Sequence, residues 1–147
     1  MDEVDIRLLA LLQENSRSTI SELSKKLNLS RPSVAERMTR LRDSGVIEGY
    51  TARVSLKALG RDTMLIIHLN SLKVSPRIFE AKIENDTDIL ECHRVTGETD
   101  YIIKAAVSSM DDMRMLIDRL MPFGSVSTSI VILSPISNRI VLPKAVV

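Results

Sequence analysis

The chain has no tryptophan, two tyrosines, two phenylalanines and one cysteine in 147 residues. So few aromatics mean that a core must be assembled from Leu, Ile, Val and Met. A single cysteine, Cys92, excludes an intrachain disulfide and suits a reducing compartment. No apolar run reaches the roughly 18 residues of a membrane span. The opening MDEVD is acidic where a signal peptide is basic. A soluble, cytoplasmic protein with no membrane contact is expected.

Catalytic signatures are also missing. The sequence contains no P-loop, GxGxxG or GxSxG. Cys92 and His93 are adjacent, and neighbours in a strand point to opposite faces, so they do not combine as nucleophile and base. His68, His93 and the nearby acids lack the spacing of a metal site. Neither an enzyme nor a metal or cofactor is expected. The methionines between Met110 and Met121 read as core.

What the chain does have is locally concentrated charge. Its net charge is only +1, yet residues 17–57 hold nine bases and four acids. Four of those bases, Arg31, Arg37, Arg40 and Arg42, fall within twelve residues.

Apolar residues around them recur at helical spacing: Ile6, Leu9 and Leu12, then Ile20, Leu23 and Leu27, then Val34, Met38 and Leu41. Three short helices are predicted. Asp2 or Asp5 starts the first, Thr19 and Glu22 form a capping box on the second, and Ser30 caps the third. Only Asn28 and Leu29 separate the second from the third, and Asn tolerates the left-handed conformation of a tight turn. This spacing is that of a helix-turn-helix. After Gly45 the stretch VIEGYTARVSL alternates with β-branched residues and predicts a short strand or hairpin, making the module winged.

On the third helix Ser33, Arg37 and Arg40 share one stripe beside the apolar one, with only Glu36 near them. Arginine holds phosphates and bonds guanine bidentately in the major groove. Thr19, at the N-terminus of the second helix, sits where N–H groups and the helix dipole favour a phosphate. Thr19, Ser30, Arg31, Ser33, Arg37 and Arg40 are therefore the candidate contacts to double-stranded DNA. Lys25, Lys26 and Arg53 add charge.

Beyond KALGRD the pattern becomes β, α, β, β, α, β, the order of a ferredoxin-like α+β unit. Its strands are TMLIIHLN, DILECHRVTG, YIIKAAV and SVSTSIVIL, and its helices start at Ser75–Pro76 and Ser109. Both helices cover one face of such a sheet. The other face is too apolar for solvent, which predicts a homodimer packed sheet to sheet. The domains expected are 1–50 for DNA binding, 51–62 as a linker with a short strand, and 63–147 for effector binding and oligomerisation.

In DIRLLALLQENSR, ISELSKKLNLS, VAERMTRLRDSGVIEGY and VTGETDYIIK, in that order, the chain resembles the Lrp/AsnC, or feast/famine, family of transcriptional regulators. The likeness spans nearly all of its length. It implies an N-terminal helix-turn-helix, a βαββαβ effector domain, dimers formed through that domain, and octamers of four dimers.

The GETD turn matches the family's GxxD. A free amino acid needs an acceptor for its ammonium group and donors for its carboxylate. Glu98 and Asp100 supply acceptors; the backbone at Gly97 and the hydroxyls of Ser127 and Ser129 supply donors. Gly97, Glu98, Thr99, Asp100, Tyr101, Ser127 and Ser129 are thus the candidate effector residues, at a site that the resemblance places between subunits. The function expected is a sequence-specific regulator whose oligomeric state or DNA binding responds to a small molecule, an amino acid. The alternatives are an effector-independent architectural DNA-binding protein and a stand-alone metabolite-binding assembly protein.

Overall fold

The computed structural model describes residues 1–144. Ala145 to Val147 lie outside the described residues. By internal contacts the chain forms two compact units: Met1–Arg53 together with the segment from Ile136, and Val54–Pro135.

The first unit holds α1 (Glu3–Glu14), α2 (Ile20–Leu27) and α3 (Arg31–Asp43). Each start follows from a cap. Asp2 accepts the Asp5 N–H while the Asp5 carboxylate accepts the Asp2 N–H, a reciprocal box on α1. Thr19 and Glu22 form the same box on α2, and the Ser30 hydroxyl accepts the Ser33 N–H on α3, with Pro32 in its first turn. Asn28 closes the α2–α3 turn at φ 57°, the left-handed conformation that its position demands.

Leu8, Leu9, Leu12, Leu23, Leu27, Val34 and Leu41 form the core, with Met38 and Ile47 partly buried against it. One expectation is displaced by a turn's fraction. The buried stripe of α1 runs Asp5, Leu8, Leu9 and Leu12, and Ile6 and Ile20 stand outside the core.

No strand forms in 46–56, and the linker 51–62 holds instead a single 3-10 turn, Lys57–Leu59. The β-branched residues there have no second segment laddered to them, and an unpaired strand gains nothing over solvated coil. The expected domain 63–147 ends, as a compact body, at Pro135. The segment after it joins the first unit. Gln13 explains how: its Nε2 donates to the Val141 carbonyl at 2.8 Å and its Oε1 accepts the Val141 N–H at 3.0 Å, so one side chain serves as a strand partner. Ile140, Val141 and Leu142 line a groove with Leu9, Leu12 and Ile47.

The second unit is built of β1 (Thr63–Asn70), α4 (Pro76–Ile83), β2 (Ile89–Arg94), β3 (Tyr101–Val107), α5 (Met110–Leu120) and β4 (Ser125–Ile130). Its antiparallel sheet has the order β2-β3-β1-β4. Leu65, Ile67, Leu69, Tyr101, Ile103, Ala105 and Val107 point to the face that α4 and α5 cover, where Phe79, Leu116 and Leu120 meet them.

The opposite face is mixed. Across it run Ser127, His68, Ile102 and His93 in one row and Ser129, Ile66, Lys104 and Glu91 in the next. Met64, Ile66 and Ile102 are apolar there as expected, but His68 and Lys104 interrupt the central strands, β4 presents serines, and Lys104 pairs with Glu91 at 2.7 Å. Gly124 enters β4 where the strands nearly touch: a Cβ there would lie 2.6 Å from the Asn70 carbonyl oxygen.

Candidate DNA interface and effector region

Within the first unit, α3 is fixed by charge as well as by its apolar stripe. Arg37 Nη1 lies 2.7 Å from Asp5 Oδ1 and 2.7 Å from Asp2 Oδ2, while Arg40 Nη2 lies 3.0 Å from both Asp5 oxygens. Asp5 is 1% exposed. Its burial pushes its pKa up, but the Asp2 N–H and the Arg37 guanidinium outweigh that and hold it below the ordinary carboxylate value. Asp2 is also held low, chiefly by its hydrogen bond from Arg37, and the Arg37 guanidinium is raised by Asp2 and Asp5.

This corrects the outward role expected of Arg37. Its side chain is 21% exposed and ties α3 to the start of α1. Arg40, 57% exposed, has one nitrogen in the same cluster and the rest of its fork in solvent. The acid that receives both arginines is far away in sequence, and its type pointed to a cap. The clue was an aspartate at the head of an i, i+3, i+4, i+7 stripe, Asp5, Leu8, Leu9 and Leu12, which must turn inward with the leucines.

The other predicted contacts take different places. Thr19 donates its hydroxyl to Glu22 at 2.9 Å, so a carboxylate already stands at the N-terminus of α2. The Ile20 and Ser21 N–H groups keep no intrahelical partner. Ser30 is consumed as a cap, Ser33 is half-buried, and Arg31 is fully on the surface. Arg42 is exposed and only 3.8 Å from an equally exposed Asp43, a pair worth little. Arg31, Arg40 and Arg42, with exposed Lys25 and Lys26, therefore form the accessible positive charge of the helix-turn-helix.

In the second unit the predicted effector residues separate. Gly97 turns the β2–β3 loop at φ 111°. Asp100 closes the loop onto β1: its N–H donates to the Leu69 carbonyl at 2.9 Å, its carbonyl accepts the Val95 N–H, and its Oδ2 accepts the Leu72 N–H at 2.9 Å. Oδ1 accepts no hydrogen bond among the described residues. Glu98 is exposed and Thr99 half-buried, and neither side chain bonds among the described residues. Ser127 and Ser129 lie on the open sheet face opposite His68 and Ile66.

Tyr101 does not join them. It points to the helix side, 2% exposed, its ring 4.7 Å from that of Phe79 and its hydroxyl donating to Glu80 at 2.6 Å. Burial first, then that acceptor, push its pKa up to about 12. It is a core residue with a satisfied hydroxyl. The residue after an aspartate turn alternates to the face that the β3 pattern Tyr101, Ile103, Ala105, Val107 buries, a periodicity already present in the sequence.

Cys92 and His93 fall on opposite faces of β2, as alternation requires. Burial pushes the Cys92 thiol up to about 11, so it stays protonated at neutral pH.

Residues 1–48 match the family described as winged helix-turn-helix DNA-binding, and residues 64–141 the Lrp/AsnC ligand binding domain. The chain is 35% identical over 134 residues to the uncharacterized HTH-type transcriptional regulator YezC of Bacillus subtilis, covering 91% of this chain and 95% of that protein. It is 36% identical over 120 residues to the leucine-responsive regulatory protein of Haemophilus influenzae, covering 80% and 72%. Its fold superposes on the structure of LrpC from Bacillus subtilis with a TM-score of 0.89, 28% identity and coverage of 95% and 99%. A Neisseria meningitidis transcriptional regulator solved in complex with L-methionine also superposes with a TM-score of 0.89, at 27% identity and coverage of 96% of each chain. Those relatives are named as regulators, and among the described residues no helix is long and apolar enough to cross a membrane. With a helix-turn-helix, a four-stranded ligand-binding domain and matches to both halves, the chain belongs to the Lrp/AsnC family of transcriptional regulators.

Proposed function

We propose that this chain is a cytoplasmic, sequence-specific transcription regulator that binds double-stranded DNA through 1–50 and an amino acid through its C-terminal domain. The observation that carries the DNA reading is the seating of α3. Asp5 fixes the helix from within, which leaves Arg31 and Arg42 exposed along one edge of its outer face and Arg40 along the other. A rigid helix edged with cations meets the needs of a major groove.

The effector reading rests on the loop Gly97–Glu98–Thr99–Asp100 with its uncommitted carboxylate oxygens, on Ser127 and Ser129, and on relatives of the same fold crystallised with L-methionine. In one protomer the loop lies at the end of the sheet and the serines on its open face. A complete site therefore draws on a second copy, as a homodimer or as an octamer of four dimers provides. Binding there shifts the assembly only in proportion to the ligand's preference for one state.

Thermal denaturation against each of the twenty amino acids, followed by sizing and DNA titration with any that stabilise, tests this reading. One or a few amino acids should raise the transition temperature and alter assembly or DNA affinity. A flat response with intact DNA binding would instead leave an effector-independent architectural protein.

A further inference from the structure

On α3, Val34 and Leu41 are buried and Arg37 and Met38 half-buried, which fixes the inward direction of the helix. At about 100° per residue the side turned away carries Pro32, Glu36, Thr39 and Asp43, every one of them exposed. Arg31 and Arg42 flank this stripe on one side and Arg40 on the other. The cations thus stand at the edges of the helix and an acid with a hydroxyl at its centre.

A helix in the major groove has phosphates at both walls and base edges in front. Flanking arginines match the walls. A carboxylate at the centre is repelled by the phosphates unless a base-edge donor compensates it. Glu36 has no ion pair among the described residues, and Arg40, one turn on, is drawn instead to Asp5. Nothing among the described residues occupies that carboxylate.

From this geometry we infer that Glu36 is a base-reading residue that accepts a hydrogen bond from a cytosine amino group, with Thr39 placing its methyl against a neighbouring thymine. Specificity then resides in Glu36 and Thr39, and Arg31, Arg40 and Arg42 bind phosphate. The inference rests on the DNA-binding reading and adds which side chains choose the sequence.

Selection from a randomised duplex library by the full-length protein and by its Glu36→Gln variant tests it. Glutamine keeps shape and reach but pairs with adenine, so one position of each half-site should change from cytosine to adenine, with about a tenfold change in preference there and none elsewhere. Glu36→Ala should relax that same position. Arg40→Ala should weaken all sequences alike. Both Glu36 variants alter an exposed side chain and should melt like the parent. An unchanged motif, or a uniform gain of affinity on every duplex, would show a merely solvated glutamate and overturn the inference. A parent that selects no sequence would remove the DNA-binding reading itself, and the role of Glu36 with it.

Discussion

Arg37 Nη1 on α3 stands 2.7 Å from the Oδ1 of Asp5 on α1, thirty-two residues away in the sequence. The same carboxylate receives Arg40 and caps its own helix through the Asp2 N–H. One buried acid therefore sets where α1 begins and how α3 is turned.

Replacing Asp5 with Ala should destabilise the N-terminal unit by about 2 kcal/mol, below the range for fully buried pairs because both arginines reach solvent. Hydrogen exchange should quicken in α1 and α3 and stay unchanged in β1 and β3. Unchanged protection in α1 would remove the fastening role of Asp5.

The lowered pKa values of Asp2 and Asp5 give this unit an acid limb. Both carboxylates are depressed on folding, so their contribution is complete above the unfolded value near 3.8 and is lost as pH falls through the lower folded values. Melting temperatures between pH 6 and 2 should show the fall, and Asp5→Asn should flatten it. A parallel fall in the variant would assign the limb to other groups.

Arg31, Arg37 and Arg40 should separate in DNA titrations over a range of salt. Arg31→Ala and Arg40→Ala each lower the log–log salt slope by about one and weaken all duplexes. Arg37→Ala lowers the melting temperature most and reduces binding through the fold. An Arg37→Ala protein that melts like the parent yet loses a unit of slope would return Arg37 to the DNA face.

Tyr101→Phe removes the hydroxyl that Glu80 accepts and keeps the ring against Phe79. A loss of about 1 kcal/mol is expected in the effector domain, with amino-acid affinity unaltered. Calorimetric titration decides: a clear loss of affinity with the fold intact would place Tyr101 in the ligand site after all.

Gly124→Ala should be severe for its size. Its backbone is extended, so the penalty is contact and not conformation: the new methyl would meet the Asn70 carbonyl at 2.6 Å. Separation of β4 from β1 should cost about 1–3 kcal/mol, read by urea denaturation. A variant as stable as the parent would show that β4 shifts freely.

Local chemistry made much of this fold legible beforehand. Capping boxes, the Asn28 turn, the Pro76 helix start and the β-branched strands each depend on residues within a few positions of one another. Asp5 escaped because its partners lie across the fold, and so did Arg37, whose exposure on a helical projection assumed no neighbour. Adjacency groups Tyr101 with the Gly97–Asp100 loop, although strand alternation turns it the other way. The strand after Gly45 failed for a third reason: its residues favour extended backbone, but pairing needs a second segment, and none among the described residues of the chain is laddered to it.

Gln13 binding both backbone groups of Val141 bears on how such proteins can be cut and recombined. A fragment that stops at Arg53 omits the stretch of chain that its own first helix holds. A chimera joined only at that point pairs each DNA-binding head with a foreign terminus. Moving the N-terminal unit of this chain intact requires two grafts, one that carries residues up to Arg53 and one that carries the segment around Val141.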